Sequence, residues 1–156
     1  MRRSDREIKA LGEIERIIKS CKVCRVAMTC GGAPYIVPMN FGYEIEDGRL
    51  TLYFHSAREG RKIDALRENP EVCFEMDREL GLAPGPSACS YGYRYESVIG
   101  WGTAVFIEDF DAKSRALRLL MEHAAGAGDW TFDAAAVEKV SVIAVAVSEY
   151  SAKASR

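Results

Sequence analysis

The chain has 156 residues, a length that suits one domain. Hydrophobic residues make up 48%, enough for a core, and the longest apolar run, Val142 to Val147, is far too short to cross a bilayer. The net charge of −2 argues against a general nucleic-acid binder, which would carry a basic stripe.

The N-terminal residues Met1 to Glu7 are charged and run straight into an amphipathic pattern with no apolar leader. This predicts a cytoplasmic protein. The five cysteines, Cys21, Cys24, Cys30, Cys73 and Cys89, are then expected as reduced thiols. Cys21 and Cys24 form a CxxC. It reads either as half of a redox or zinc site or as ordinary core, with Cys24 alternating inward alongside Val26 and Met28. No second pair and no nearby His completes a zinc set, so core is the favoured reading.

Residues 4–20 place Ile8, Leu11, Ile14, Ile17 and Ile18 on one helical stripe, with Ser4 or Asp5 as cap. From Lys22 the period becomes two. Strands are expected at 22–29, 35–46 and 49–55, joined by Gly31-Gly32-Ala33-Pro34 and by the hairpin signal Asp47-Gly48. Together they suggest a three-stranded meander. Pro38 interrupts the second strand and marks an edge, a bulge or a ligand-facing stretch. Residues 56–69 read as a helix with Ile63 and Leu66 facing in, stopped by Asn69-Pro70.

A strand is expected at 71–76 and a Gly/Pro-rich loop at 77–89. A long β segment follows at 91–108, with a bend or close backbone approach to a ligand at Gly100 and Gly102. A helix over 109–125 would bury Leu117, Leu120, Met121 and Ala124. A helical turn at 134–139, a covered central strand at 140–147 and a frayed tail at 151–156 complete the chain. Six or so strands with few helices fit a small antiparallel barrel.

Three stretches could carry chemistry. The first runs from Tyr53 to Lys62: a strand ends at His55 and Ser56, then a helix opens with Arg58, Arg61 and Lys62. Free N–H groups at a helix start beside cations make a phosphate site; the plainer reading is a capped helix with a solvated basic face. The second is Ile36-Val37-Pro38-Met39-Asn40, a kinked strand if nothing binds there. The third runs from Cys89 to Gly102. Its three tyrosines and Trp101, around Arg94 and Ser97, would cover a flat ring or form a dimer or barrel core. His55 has no acid or nucleophile at a hydrolase spacing, and His123 is given no role.

In this order the stretches resemble the pyridoxamine-phosphate-oxidase-like flavin-binding proteins, in particular the nitroimidazole-resistance type. The resemblance rests on Met1-Arg2-Arg3 with Asp5-Arg6-Glu7, Val37 to Tyr43, Tyr53 to Ala57 with Gly60-Arg61-Lys62, and Cys89 to Tyr95 with Ser97 to Gly100. It implies a mainly β fold, a six-stranded antiparallel split β-barrel, that works as a homodimer with FMN at the interface. The backbone of Val37, Pro38, Met39 and Asn40 would meet the isoalloxazine edge. Tyr53, His55, Ser56, Arg61 and Lys62 would line the cofactor site, the last four holding phosphate or ribityl groups. Ser90, Arg94, Ser97, Val98 and Trp101 would come from the partner chain.

An FMN-dependent oxidoreductase is the leading expectation. It would take electrons from a donor such as a nicotinamide and pass them to a small, nitro-aromatic substrate, with His55 as catalytic proton donor. A flavin store or redox sensor, and haem binding with His55 as axial ligand, are the alternatives. No basic C-terminal motif for a pyridoxal phosphate substrate is present, and loop 78–88 would shape a different pocket. No metal site is expected.

Overall fold

The computed structural model describes residues 4–155, so the Met1-Arg2-Arg3 piece of the N-terminal motif and Arg156 lie outside the described residues. Eight strands form one antiparallel sheet: β1 (Glu7–Ile8), β2 (Cys24–Cys30), β3 (Ala33–Met39), β4 (Gly42–Glu46), β5 (Arg49–Ala57), β6 (Glu71–Ala83), β7 (Gly92–Ile107) and β8 (Val140–Ser155). The helices are α1 (Leu11–Ser20), α2 (Arg61–Glu68), α3 (Phe110–Ala125) and α4 (Ala134–Glu138). The strand order is β3-β2-β6-β7-β8-β5-β4, with β1 added beside β8. This is a mainly β split barrel with eight strands rather than six.

Period-two alternation builds the core. Cys24, Val26 and Met28 of β2 face inward with Leu50, Leu52 and Phe54 of β5, and Val72, Phe74 and Met76 of β6. Ile14, Ile17 and Ile18 of α1 and Ile63 and Leu66 of α2 join the same cluster. Each such side chain contributes roughly 1.5–3 kcal/mol on burial. The core reading of Cys24 therefore holds, and burial pushes the Cys21 thiol up to about 11. All five cysteines are free, and the described residues contain no cluster able to hold a metal.

The Asp47-Gly48 hairpin is as expected, with both residues at positive φ (51° and 77°). The expected meander over 22–55 is not formed. The segment 35–46 breaks at Asn40–Phe41, where Phe41 turns into the core, and β3 and β4 end at opposite edges of the sheet. β3 pairs only with β2 and β4 only with β5, which is the split. Pro38 sits on that edge strand, where a missing donor costs no ladder bond.

Other boundaries shift for tertiary reasons. The first helix starts at Leu11, not residue 4, because Glu7–Ile8 pairs with Lys153 and Ala152. The same pairing, with β7 on the other side, makes the expected frayed tail a strand through Ser155. The expected loop 77–89 is largely strand. Gly81, at φ 103°, absorbs a bulge after Glu79 and lets β6 run on to Ala83. The second helix starts at Arg61, since β5 runs on to Ala57. On α3 the buried set is Lys113, Ala116, Leu120 and His123, a stripe displaced from the expected one around the helix.

Gly100 and Gly102 mark close approach to the protein's own backbone and core. A Cβ at Gly100 would lie 2.5 Å from the Phe74 ring, and one at Gly102 2.5 Å from the Ala146 carbonyl oxygen. Between them the ladder to β8 slips at Trp101/Gly102.

Candidate functional site

β5 delivers the first stretch. Its alternation points His55 and Ala57 to the outer face, both exposed, and Ser56 inward, 6% exposed. The Ser56 hydroxyl has no partner among the described residues. Tyr53 is buried beneath α3 in a cluster with Ala116 and Val142, and its hydroxyl donates to Glu44. Burial, and then that bond, push the Tyr53 phenol well above its usual range. Tyr53 is thus a packing residue, set apart from the helix start.

α2 opens at Gly60, which supplies no side-chain cap. Gly60 O accepts from the N–H groups of Ile63 and Asp64, at 2.8 and 3.1 Å. Arg61 and Lys62 occupy the first two helical positions. Cations at this end oppose the helix dipole, an arrangement that a bound anion would relieve. Among the described residues neither side chain faces a carboxylate, whereas Arg16, Arg25 and Arg115 all do. Arg61 instead lies over the Tyr35 ring, 4.4 Å from its centroid, and its Nε donates to Cys30 Sγ at 3.4 Å. The helix start therefore sits against the β2–β3 hairpin. Arg58 is drawn elsewhere, donating to the Glu138 carbonyl at 3.1 Å.

From Tyr35, the edge strand β3 leads directly to Val37, Pro38, Met39 and Asn40. Tyr35, Val37 and Met39 pack toward the core, and Ile36 and Pro38 face out. Asn40 is exposed and donates to Lys22 O at 2.9 Å. As the sheet edge, this segment has unpaired backbone groups on one side.

The third stretch divides. Trp101, 47% exposed, stands on the outer face in register with Cys73, Ala27 and Ile36. A groove of about 300 Å³ lies there, lined by Trp101, Cys73, Ala27 and Pro34 among others. Ile99 and Val105 extend the exposed apolar face along β7. Ser97 is half-buried between Asp77 and Lys153. Val98 is fully buried in the core and presents no side chain to a ligand. Arg94 and Ser90 lie on the β6–β7 arm, with Ser90 closing a turn through Ser87.

His55 is in register with Val142 and, through it, with Ile107. Arg94 lies thirteen residues from Ile107 along β7, about 40 Å of strand. One small molecule bound to one chain does not touch both.

A larger cavity of about 680 Å³ opens between α1, β4 and α3. His123 lines it, with Nδ1 2.8 Å from Phe41 O and Nε2 3.3 Å from Lys19 O. This is a packing histidine that ties three segments together. The sequence carried no signal for it beyond a place on the helix.

The family model described as pyridoxamine 5'-phosphate oxidase matches residues 11–154. The chain belongs to this family. Among solved structures, it is similar to a Bacteroides thetaiotaomicron protein whose proposed role is 5-nitroimidazole antibiotic resistance. The identity is 39% over 95% of this chain and 86% of that one, with a TM-score of 0.81. The flavocytochrome Anf3 from Azotobacter vinelandii shares the fold (TM-score 0.84, 23% identity, 100% and 72% of the two chains). So does the FAD and heme binding protein from Mycobacterium smegmatis (0.84, 20%, 97% and 74%). A comparison with curated proteins finds no match.

Proposed function

We propose that the protein binds FMN as a homodimer and acts as an oxidoreductase on a small substrate. The observation that carries the reading is the start of α2: a helix end without a side-chain cap, headed by two cations that face no carboxylate among the described residues, against a sheet edge. A phosphate dianion fits these donors. Arg61, Lys62 and the first N–H groups would hold it, and the backbone of Val37 to Asn40 would meet the edge of the ring. The names of similar proteins support a flavin in this fold.

The separation of His55 from Arg94 supports two chains. In a homodimer, Ser90, Arg94 and Ser97 of the partner subunit would reach the phosphate end, while Trp101 of the partner subunit would cover the ring. The outer face bearing Ile36, Ile99, Trp101 and Val105 would be the contact, since apolar exposure of this extent marks an interface.

A bound flavin would supply electron or hydride transfer, chemistry no side chain here provides. The chain's own residues would bind the phosphate and orient the ring, and Trp101 of the partner subunit would exclude water. His55, the exposed histidine at the end of β5, would donate a proton to the substrate. A nitro-aromatic substrate is favoured by the similarity to the Bacteroides thetaiotaomicron protein. A nicotinamide is the proposed electron donor and the cytoplasm the proposed setting, in keeping with five free thiols.

The experiment is a titration of the purified protein and of an Arg61→Ala/Lys62→Ala variant with FMN and riboflavin. The expected result is a large loss of FMN affinity with riboflavin little changed. Unchanged FMN affinity would show that the phosphate is held elsewhere.

A further inference from the structure

Arg61 is held in an unusual way. Arg16, Arg25 and Arg115 are ordered by carboxylates that neutralise them. Arg61 is ordered by groups that leave its charge intact: the Tyr35 ring face, 4.4 Å from Cζ, and the Cys30 sulfur, 3.4 Å from Nε. These contacts use one face of the guanidinium and one N–H. The Nη1 and Nη2 groups have no acceptor among the described residues, so the two-pronged edge that matches a phosphate stays open.

The holder is itself rigid. Tyr35 is half-buried and packs against the core, and it pairs with Met28 of β2 in the ladder. Cys30 closes the same hairpin, opposite Ala33. Arginine free in solvent loses rotamer freedom when it grips an anion. One already stacked on a fixed ring has lost much of it beforehand. Lys62, next on the helix, has no comparable anchor among the described residues and supplies charge without a fixed direction.

We propose that Tyr35, assisted by Cys30, is the positioning residue for Arg61 and sets the preference for a phosphorylated flavin over its unphosphorylated form. Tyr35 touches neither phosphate nor ring; it acts through the guanidinium. The proposal rests on the flavin reading above.

The test measures dissociation constants for FMN and for riboflavin, by quenching of flavin fluorescence, on the full chain. The proteins are the wild type, Tyr35→Phe, Tyr35→Leu, Arg61→Ala and Tyr35→Leu/Arg61→Ala, each checked by thermal melting. Tyr35→Leu is expected to weaken FMN about five- to tenfold and leave riboflavin unchanged. Tyr35→Phe keeps the ring face and should match the wild type. In the Arg61→Ala background Tyr35→Leu should have no further effect, because its route is gone.

Equal loss for both flavins, an unchanged FMN-to-riboflavin ratio, or an additive effect on top of Arg61→Ala would each overturn the proposal. A wild type that binds neither flavin would instead overturn the flavin reading beneath it, and the wild-type titration alone shows that.

Discussion

Arg16 of α1 and Glu96 of β7 form a two-pronged ion pair, with Nη2–Oε1 at 2.6 Å and Nη1–Oε2 at 3.1 Å. Glu96 is 2% exposed, so its charge depends on protein partners. The pair fixes α1 across the strand that leads into the β6–β7 arm. Removing one member of such a pair costs more than replacing both with apolar groups. Arg16→Leu should lower the Tm by several degrees, and Arg16→Leu/Glu96→Leu should recover most of the loss. A double variant less stable than the single one would contradict this.

The glycines flanking Trp101 hold the outer face in shape. A Cβ at Gly102 would meet the Ala146 carbonyl oxygen at 2.5 Å and Val145 Cγ1 at 2.8 Å. Backbone cannot yield as a side chain does. Gly102→Ala should destabilise by about 1–3 kcal/mol in urea denaturation. Gly12→Ala, on α1 with nothing within 4 Å of the new Cβ, should be neutral or slightly stabilising.

His123 gives the fold a pH dependence. Burial holds its imidazole below the ordinary value of 6.5, against the pull of the Phe41 carbonyl. The unfolded chain therefore takes up the proton first as pH falls. The stabilisation is fully present above pH 6.5 and is lost as pH drops through the lower folded value. Melts between pH 7.5 and 5 should show wild type falling relative to His123→Gln; parallel profiles would remove the assignment.

The proposed two-chain site can be tested by complementation. In that proposal a Lys62→Ala chain would lack one half of the site and an Arg94→Ala chain the other. Each homodimer should bind FMN weakly, while the mixed dimer contains one site with both residues intact. Co-purified mixed dimers should regain about half the flavin of the wild type. Mixed dimers no better than the parents would place both residues in one chain's site.

Much of this arrangement was legible in the sequence where chemistry is local. The Asp47-Gly48 turn, the Cys24-Val26-Met28 alternation and the α2 face with Ile63 and Leu66 needed only period and turn signals. Pairing between distant segments was not legible. Nothing in Glu7-Ile8 or in Ser151 to Ser155 announces a strand; the tail becomes one by pairing with Tyr95 to Ile99 of β7, and Glu7-Ile8 by pairing with Lys153 and Ala152 of the tail. The 35–46 segment alternates throughout, so its break at Asn40–Phe41 follows from the barrel's split, not from local preference.

For the candidate site, the motifs were legible but the faces their residues take were not. A motif places His55 and Ser56 side by side, while the strand sends them to opposite faces. Tyr53 and Val98 share motifs with exposed neighbours and are claimed by α3 and by the core. Tyr35 was missed as a partner of Arg61, because nothing in sequence distance joins a β3 aromatic to a helix 26 residues later.

The most direct measurement is the visible absorption spectrum of the freshly purified protein, with mass identification of any chromophore released from it. A two-banded flavin spectrum is expected, bleached by a nicotinamide donor, with FMN as the released species. A colourless protein that takes up no added FMN would contradict it, and so would a haem Soret band in place of the flavin bands.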